Sequence, residues 1–98
     1  MLTGKQRAFL RSMANNMEVI FQIGKNGIED SLVKQIDDAL EARELIKINV
    51  LENSGITPRE ASGVLCERLG CEGIQAIGKK LVIYRKSKNK PKIELISR

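Results

Sequence analysis

The chain has 98 residues, 42% of them hydrophobic, with 17 basic and 12 acidic side chains and a formal net charge of +5. That length and apolar share fit one folded domain with a small core and exclude a disordered chain. Histidine is absent, and Cys66 and Cys71 have no further thiol or imidazole to complete a zinc site, so no metal, no cofactor and no acid–base enzyme chemistry is expected.

Thr3-Gly4-Lys5-Gln6 has the spacing of a capping box and predicts a helix over 3–14. Phe9, Leu10, Met13 and Ala14 form its apolar stripe, with Arg7 and Arg11, one turn apart, expected to face solvent together. Residues 18–23 alternate as a strand, with Val19, Phe21 and Ile23 on one side. After Gly24-Lys25-Asn26-Gly27 a helical period runs over 28–43. It turns Ile28, Leu32, Val33, Ile36, Ala39 and Leu40 inward and Asp37, Asp38 and Glu41 outward. Residues 45–51 alternate again, with Ile46, Ile48 and Val50 inward and Lys47 and Asn49 outward.

Thr57-Pro58-Arg59-Glu60 is a second capping box with proline at the first helical position, predicting a helix over 57–69 that stops at Gly70. Its apolar stripe is Ala61, Val64, Leu65 and Leu69. Strands over 73–77 and 80–85 flank a Gly78-Lys79 turn, with Ala76 opposite Leu81 and Ile74 opposite Ile83 on the core side. The predicted order is α-β-α-β-α-β-β. That order implies an α/β fold of the α+β two-layer kind: a four-stranded mixed sheet with helices packed on one face. The domain is placed at residues 1–86. Residues 87–98 are read as an extended, mobile basic tail in which Ile93 and Leu95 are the residues able to dock back.

Charge is unevenly distributed along the chain. Residues 1–27 carry four basic and one acidic side chain, residues 28–78 five basic and ten acidic, and residues 79–98 eight basic and one acidic. Two positive ends around a negative middle are the electrostatic footprint of a polyanion binder. Gly24-Lys25-Asn26-Gly27 is the candidate contact. Glycines free the backbone to turn, and the following helix start presents unpaired N–H groups that can hold an anion. Glu29 and Asp30 would repel a phosphate set deep in the helix mouth, so the loop's own N–H groups and Lys25 are the expected contact.

The blocks Thr3-Gly4-Lys5-Gln6-Arg7, Gly24-Lys25-Asn26-Gly27, Ala39-Leu40-Glu41-Ala42-Arg43-Glu44-Leu45-Ile46-Lys47 and Gln75-Ala76-Ile77-Gly78-Lys79-Lys80-Leu81-Val82-Ile83-Tyr84-Arg85 resemble the CRM domain in its stand-alone bacterial, YhbY-like form. The name stands for chloroplast RNA splicing and ribosome maturation. The resemblance implies the topology of the C-terminal domain of translation initiation factor 3. It also implies an RNA-binding role on precursors of the large ribosomal subunit. The family's loop carries over onto Gly24, Lys25, Asn26 and Gly27, and its basic surface onto Lys5, Arg7, Lys47, Lys79, Lys80 and Arg85. Arg11 and Lys86 extend that basic surface on the residues' own evidence.

The expected function is therefore a non-enzymatic factor binding large-subunit ribosomal RNA, with the alternative of a protein-interaction adaptor or general nucleic-acid binder. With three aromatic residues, base stacking is expected to be a minor contribution. A monomer is expected, with no small-molecule substrate. The apolar runs are too short for a membrane span, and the charged N-terminus is unlike a signal peptide, so a cytoplasmic location without membrane contact is expected.

Overall fold

Both predicted capping boxes close in the computed structural model, which describes residues 2–95. The Gln6 N–H donates to Thr3 Oγ1 at 3.1 Å and the Thr3 N–H to Gln6 Oε1 at 2.9 Å, opening α1 (Gly4–Ala14). Thr57 and Glu60 repeat the exchange at 2.9 and 3.1 Å ahead of α3 (Pro58–Leu69), which ends at Gly70 with φ +64°. Between them α2 (Asp30–Arg43) begins two residues later than the apolar period suggests. Glu29 stays extended (φ −84°, ψ 157°), carrying the chain from the glycine loop onto the helix.

Four strands form one sheet: β1 (Phe21–Ile23), β2 (Leu45–Val50), β3 (Glu72–Ile77) and β4 (Lys80–Tyr84), in the order β1-β2-β4-β3. β1 runs parallel to β2, and β4 lies antiparallel to both β2 and β3, so the sheet is mixed as expected. A single 3-10 turn, Glu52–Ser54, follows β2.

The central strands are apolar on both faces, and both faces are covered. Ile46, Ile48, Leu81 and Ile83 join Ile23, Ile36, Leu40 and Leu65 under α2 and α3. Leu45, Val82 and Tyr84, the alternate residues, join Leu10 and Ala14 of α1 on the opposite side. Helices on one face alone is therefore corrected: α1 occupies the second face, because strands with apolar residues on both sides must be covered twice. Each fully buried aliphatic side chain contributes about 1.5–3 kcal/mol.

Two details of the predicted core also change. The β3–β4 register slips at a bulge between Gly73 and Gln75, so Gly73 rather than Ile74 lies opposite Ile83. Ile74 thereby faces α1 with Val82 and Tyr84. Phe9 (46% exposed) and Val64 (42%) lie outside the core. In α1 the face seated on the sheet is Leu10, Met13 and Ala14, and Phe9 is one step off it.

The C-terminal segment is bound to the domain as far as Leu95, and residues 96–98 lie outside the described residues. Ile93 and Leu95 pack on the α1-side cluster. Glu44 stands fully buried at the end of α2 with φ +68° and ψ −42°, a sparsely populated conformation that costs a side-chain-bearing residue about 1–3 kcal/mol. Its carboxylate accepts the N–H groups of Ser87 (2.8 Å), Lys92 (2.6 Å) and Ile93 (2.7 Å), contacts that hold the residue in that conformation. One turn earlier Glu41 accepts the Ser87 hydroxyl at 2.6 Å and the N–H groups of Lys88 and Asn89 at 3.1 Å. The expected mobile tail is thus a strap over residues 86–95, and Glu41, read as a solvent-face acid, is one of its two anchors.

Candidate nucleic-acid interface

The glycine loop is a tight turn. The Gly27 N–H donates to the Gly24 carbonyl at 2.9 Å, leaving Lys25 and Asn26 exposed at the two corners. Gly27 holds φ +68°, where glycine is favoured. Gly24 is not in that region, and a Cβ there would meet only Leu51 Cδ1 at an ordinary 3.8 Å. The turn leads into the start of α2, where Glu29 makes no side-chain capping bond, in contrast to the closed boxes on α1 and α3. The first-turn N–H groups of α2 are therefore uncapped beside the loop. The Asp30 carboxylate is drawn aside to Arg68 at 3.0 Å. Gln22, Ser31 and Gln35 line the same depression as residues 24–27. No motif in the sequence singles out these three; the available signal is the one-turn spacing of Ser31 and Gln35 on α2.

Strand pairing places the other predicted residues. Ile23 pairs with Val50, Asn49 with Lys80, and Ile77 with Lys80, so the glycine loop and the Gly78-Lys79 turn emerge at the same end of the sheet. Lys79 makes an exposed ion pair with Glu52 at 3.2 Å. A surface pair of this kind is worth about 0–1 kcal/mol and yields easily to a ligand. Lys25 and Lys80 are exposed, and their side chains make no hydrogen bond or ion pair among the described residues. This loop end combines cations, exposed amide side chains and uncapped backbone N–H groups.

Three predicted contact residues are occupied inside the fold. Arg85, its side chain 15% exposed, donates to Asp37 Oδ1 at 2.6 Å, the Asp37 carbonyl at 3.0 Å and the Leu69 carbonyl at 3.1 Å. Arg7 donates to Glu72 Oε1 at 2.8 Å and the Gly73 carbonyl at 2.5 Å, so it does not face solvent together with Arg11. Lys47 Nζ donates to the Ala14 carbonyl at 3.0 Å and the Met17 carbonyl at 3.5 Å, closing the C-terminal end of α1. Lys5 is exposed on the first turn of α1, and Arg11 is half-buried further along it. Lys86 is exposed beyond β4, at the opposite end of the sheet from the loop. The predicted basic surface thus divides: Lys25, Lys79 and Lys80 gather around the loop, while Lys5, Arg11 and Lys86 lie away from it.

The thiols of Cys66 and Cys71 are free and 3.4 Å apart. Among the described residues no group of three or more potential metal ligands is assembled.

Known proteins share both the sequence and the fold. YqeI of Bacillus subtilis, named a probable RNA-binding protein, is 46% identical over 95 residues, covering 97% of this chain and 99% of its own length. An RNA-binding protein of Haemophilus influenzae is 31% identical over 94 residues, covering 96% and 94%. The solution structure of the hypothetical protein SAV1595 of Staphylococcus aureus, itself described as a candidate RNA binder, matches with a TM-score of 0.77 at 48% identity. The match covers 98% of this chain and all of that one. The CRS1/YhbY (CRM) domain model matches residues 2–85, and the chain belongs to that family.

Proposed function

We propose that this chain is a non-enzymatic RNA-binding protein that acts on ribosomal RNA in precursors of the large subunit. The observation that carries the RNA reading is the turn at residues 24–27. It presents Lys25 and Asn26 to solvent beside uncapped helix N–H groups, in a family whose named relatives are RNA-binding proteins. A phosphate held at the loop, on the side away from the exposed Glu29 that lines the same depression, meets backbone N–H donors and the Lys25 ammonium, both stronger toward an anion than toward water. Lys79 and Lys80 extend the positive field along the sheet end. With Phe21 packed against the core and Tyr84 buried, Phe9 is the single aromatic ring left exposed for stacking, so phosphate contacts and RNA shape dominate. The ribosomal assignment rests on the family resemblance.

Replacing Lys25 and Asn26 together by Asp keeps both glycines and the turn while placing two carboxylates against the ligand. Affinity should fall about ten-fold or more at every RNA sequence tested, the worth of about 1–2 kcal/mol of charge-assisted hydrogen bonding. A folded double variant that binds like the parent would remove the loop from the interface. Crosslinking the protein to RNA in cells and sequencing the attached fragments tests the ribosomal assignment; fragments without large-subunit ribosomal RNA would refute it.

A further inference from the structure

The strap carries Lys86, Lys88, Lys90 and Lys92, all exposed, on a backbone whose N–H groups at 87, 88, 89, 92 and 93 point inward to Glu41 and Glu44. Lysines on a free tail lose conformational freedom when they bind; lysines on a fixed backbone lose less, so binding is stronger for the same contacts. Two of the four share a cleft. Lys86 and Lys92 line one cleft of about 400 Å³, with Tyr84 in its lining and Pro91, Ile93 and Leu95 around it. That volume lies in the range of small-ligand sites.

Tyr84 is 5% exposed, and its hydroxyl makes no hydrogen bond among the described residues. Its oxygen is not sealed from solvent, so the hydroxyl is open to donate to a ligand in the cleft that Lys86 and Lys92 also line. Among the described residues Glu94 is the one acid lining the cleft. The neighbouring Glu44 carboxylate is already engaged by three N–H donors.

We infer that the strap cleft is a second phosphate-binding site for the RNA backbone, in which Lys86 and Lys92 take the phosphodiester oxygens and the Tyr84 hydroxyl donates from the floor. This inference rests on the RNA-binding reading and adds a contact at the far end of the sheet. β4 alone separates the two sites by about 13 Å, at ~3.3 Å per residue. An RNA segment of several nucleotides, rather than a mononucleotide, is the ligand that engages both.

The test uses the full chain and two fluorescently labelled probes, a 20-nucleotide oligouridine and an RNA hairpin, with anisotropy followed across salt concentrations. Lys86→Gln with Lys92→Gln should weaken binding about five-fold or more. The slope of log K against log salt should fall by about 1.4–1.8, the share of two phosphate contacts. Tyr84→Phe keeps the ring in the core and should weaken binding about two- to five-fold with the slope unchanged. On the unsubstituted protein, RNA should shield Lys86 and Lys92 from amine acetylation, a readout independent of any variant's folding. If the lysine pair variant keeps the parent's affinity and slope while the Lys25→Asp, Asn26→Asp variant weakens, the strap site is overturned and the RNA-binding reading stands. Unshielded Lys86 and Lys92 in the RNA complex would overturn it equally. If the parent binds neither probe, both readings fall.

Discussion

Lys25 and Arg85 carry the same charge, and their surroundings give them different work. Arg85 is spent on Asp37 and the last carbonyl of α3. Arg85→Ala would leave those acceptors without their donor, so we expect denaturation to show a loss of about 2–4 kcal/mol. RNA affinity per folded molecule should stay near the parent's. The two loop glycines divide in a similar way. Gly27 needs its positive φ, and Gly27→Ala should cost about 1–2 kcal/mol. Gly24 has ordinary space for a Cβ, so Gly24→Ala should change stability by no more than about 0.5 kcal/mol. If RNA backbone approaches the loop at Gly24, that same substitution should weaken RNA binding measurably. Equal binding by folded Gly24→Ala protein would mean that the RNA does not come close there.

At the scale of elements, the sequence was legible where a short-range rule decides the outcome. Thr3 with Gln6, Thr57 with Glu60, Gly70, and the Gly78 turn each depend on neighbours within four residues, and each formed where expected. The face of the sheet that α1 covers was not legible. Helical period tells which side of α1 is apolar, and it carries nothing about which side of a sheet that stripe meets. The Gly73–Gln75 bulge was hidden for a similar reason, since one extra residue reverses Ile74 without altering composition. The strap's clasp on Glu41 and Glu44 was hidden because Glu41 reads as a solvated charge on the outer face of its helix and no short-range rule marks Glu44.

Its chemistry is nevertheless testable. The Ser87 hydroxyl, then the Lys88 and Asn89 N–H groups, hold the Glu41 carboxyl down at about 2 against an ordinary value of 4.5. Burial pushes Glu44 up, and its three N–H donors with nearby Lys86 outweigh that, leaving it lowered. Groups with a depressed folded-state value stabilise the fold above the unfolded value and lose that contribution as pH falls through the folded one. The clasp is therefore intact at neutral pH and loosens between about 4.5 and about 2. The amide resonances of Lys88 and Asn89 should titrate near 2; a midpoint at 4 to 5 would mean that Glu41 does not hold the strap in solution.

For the whole molecule, the question is where the domain ends. The family model stops at residue 85, and composition alone marks residues 87–98 as an extended, mobile basic tail. The packing says otherwise. Deleting 87–98 strips Ile93 and Leu95 from the cluster around Leu45, Val82 and Tyr84 and takes three N–H donors from Glu44. Charge-assisted bonds of this type are worth about 1.5–3 kcal/mol each, so the truncated chain should lose at least about 3 kcal/mol. A truncated chain as stable as the parent would make the strap an accessory. Glu44→Gly separates the two costs that meet at this residue. In the full chain it relieves the positive φ and removes the strap's central acceptor, so it should destabilise. In the truncated chain there is no strap left to lose. The same substitution should then stabilise by about 1 kcal/mol, because glycine takes the positive φ at the end of α2 without a side-chain penalty. Opposite signs in paired denaturation experiments are the expected result. The same sign in both would show that Glu44 does not trade backbone strain against the strap.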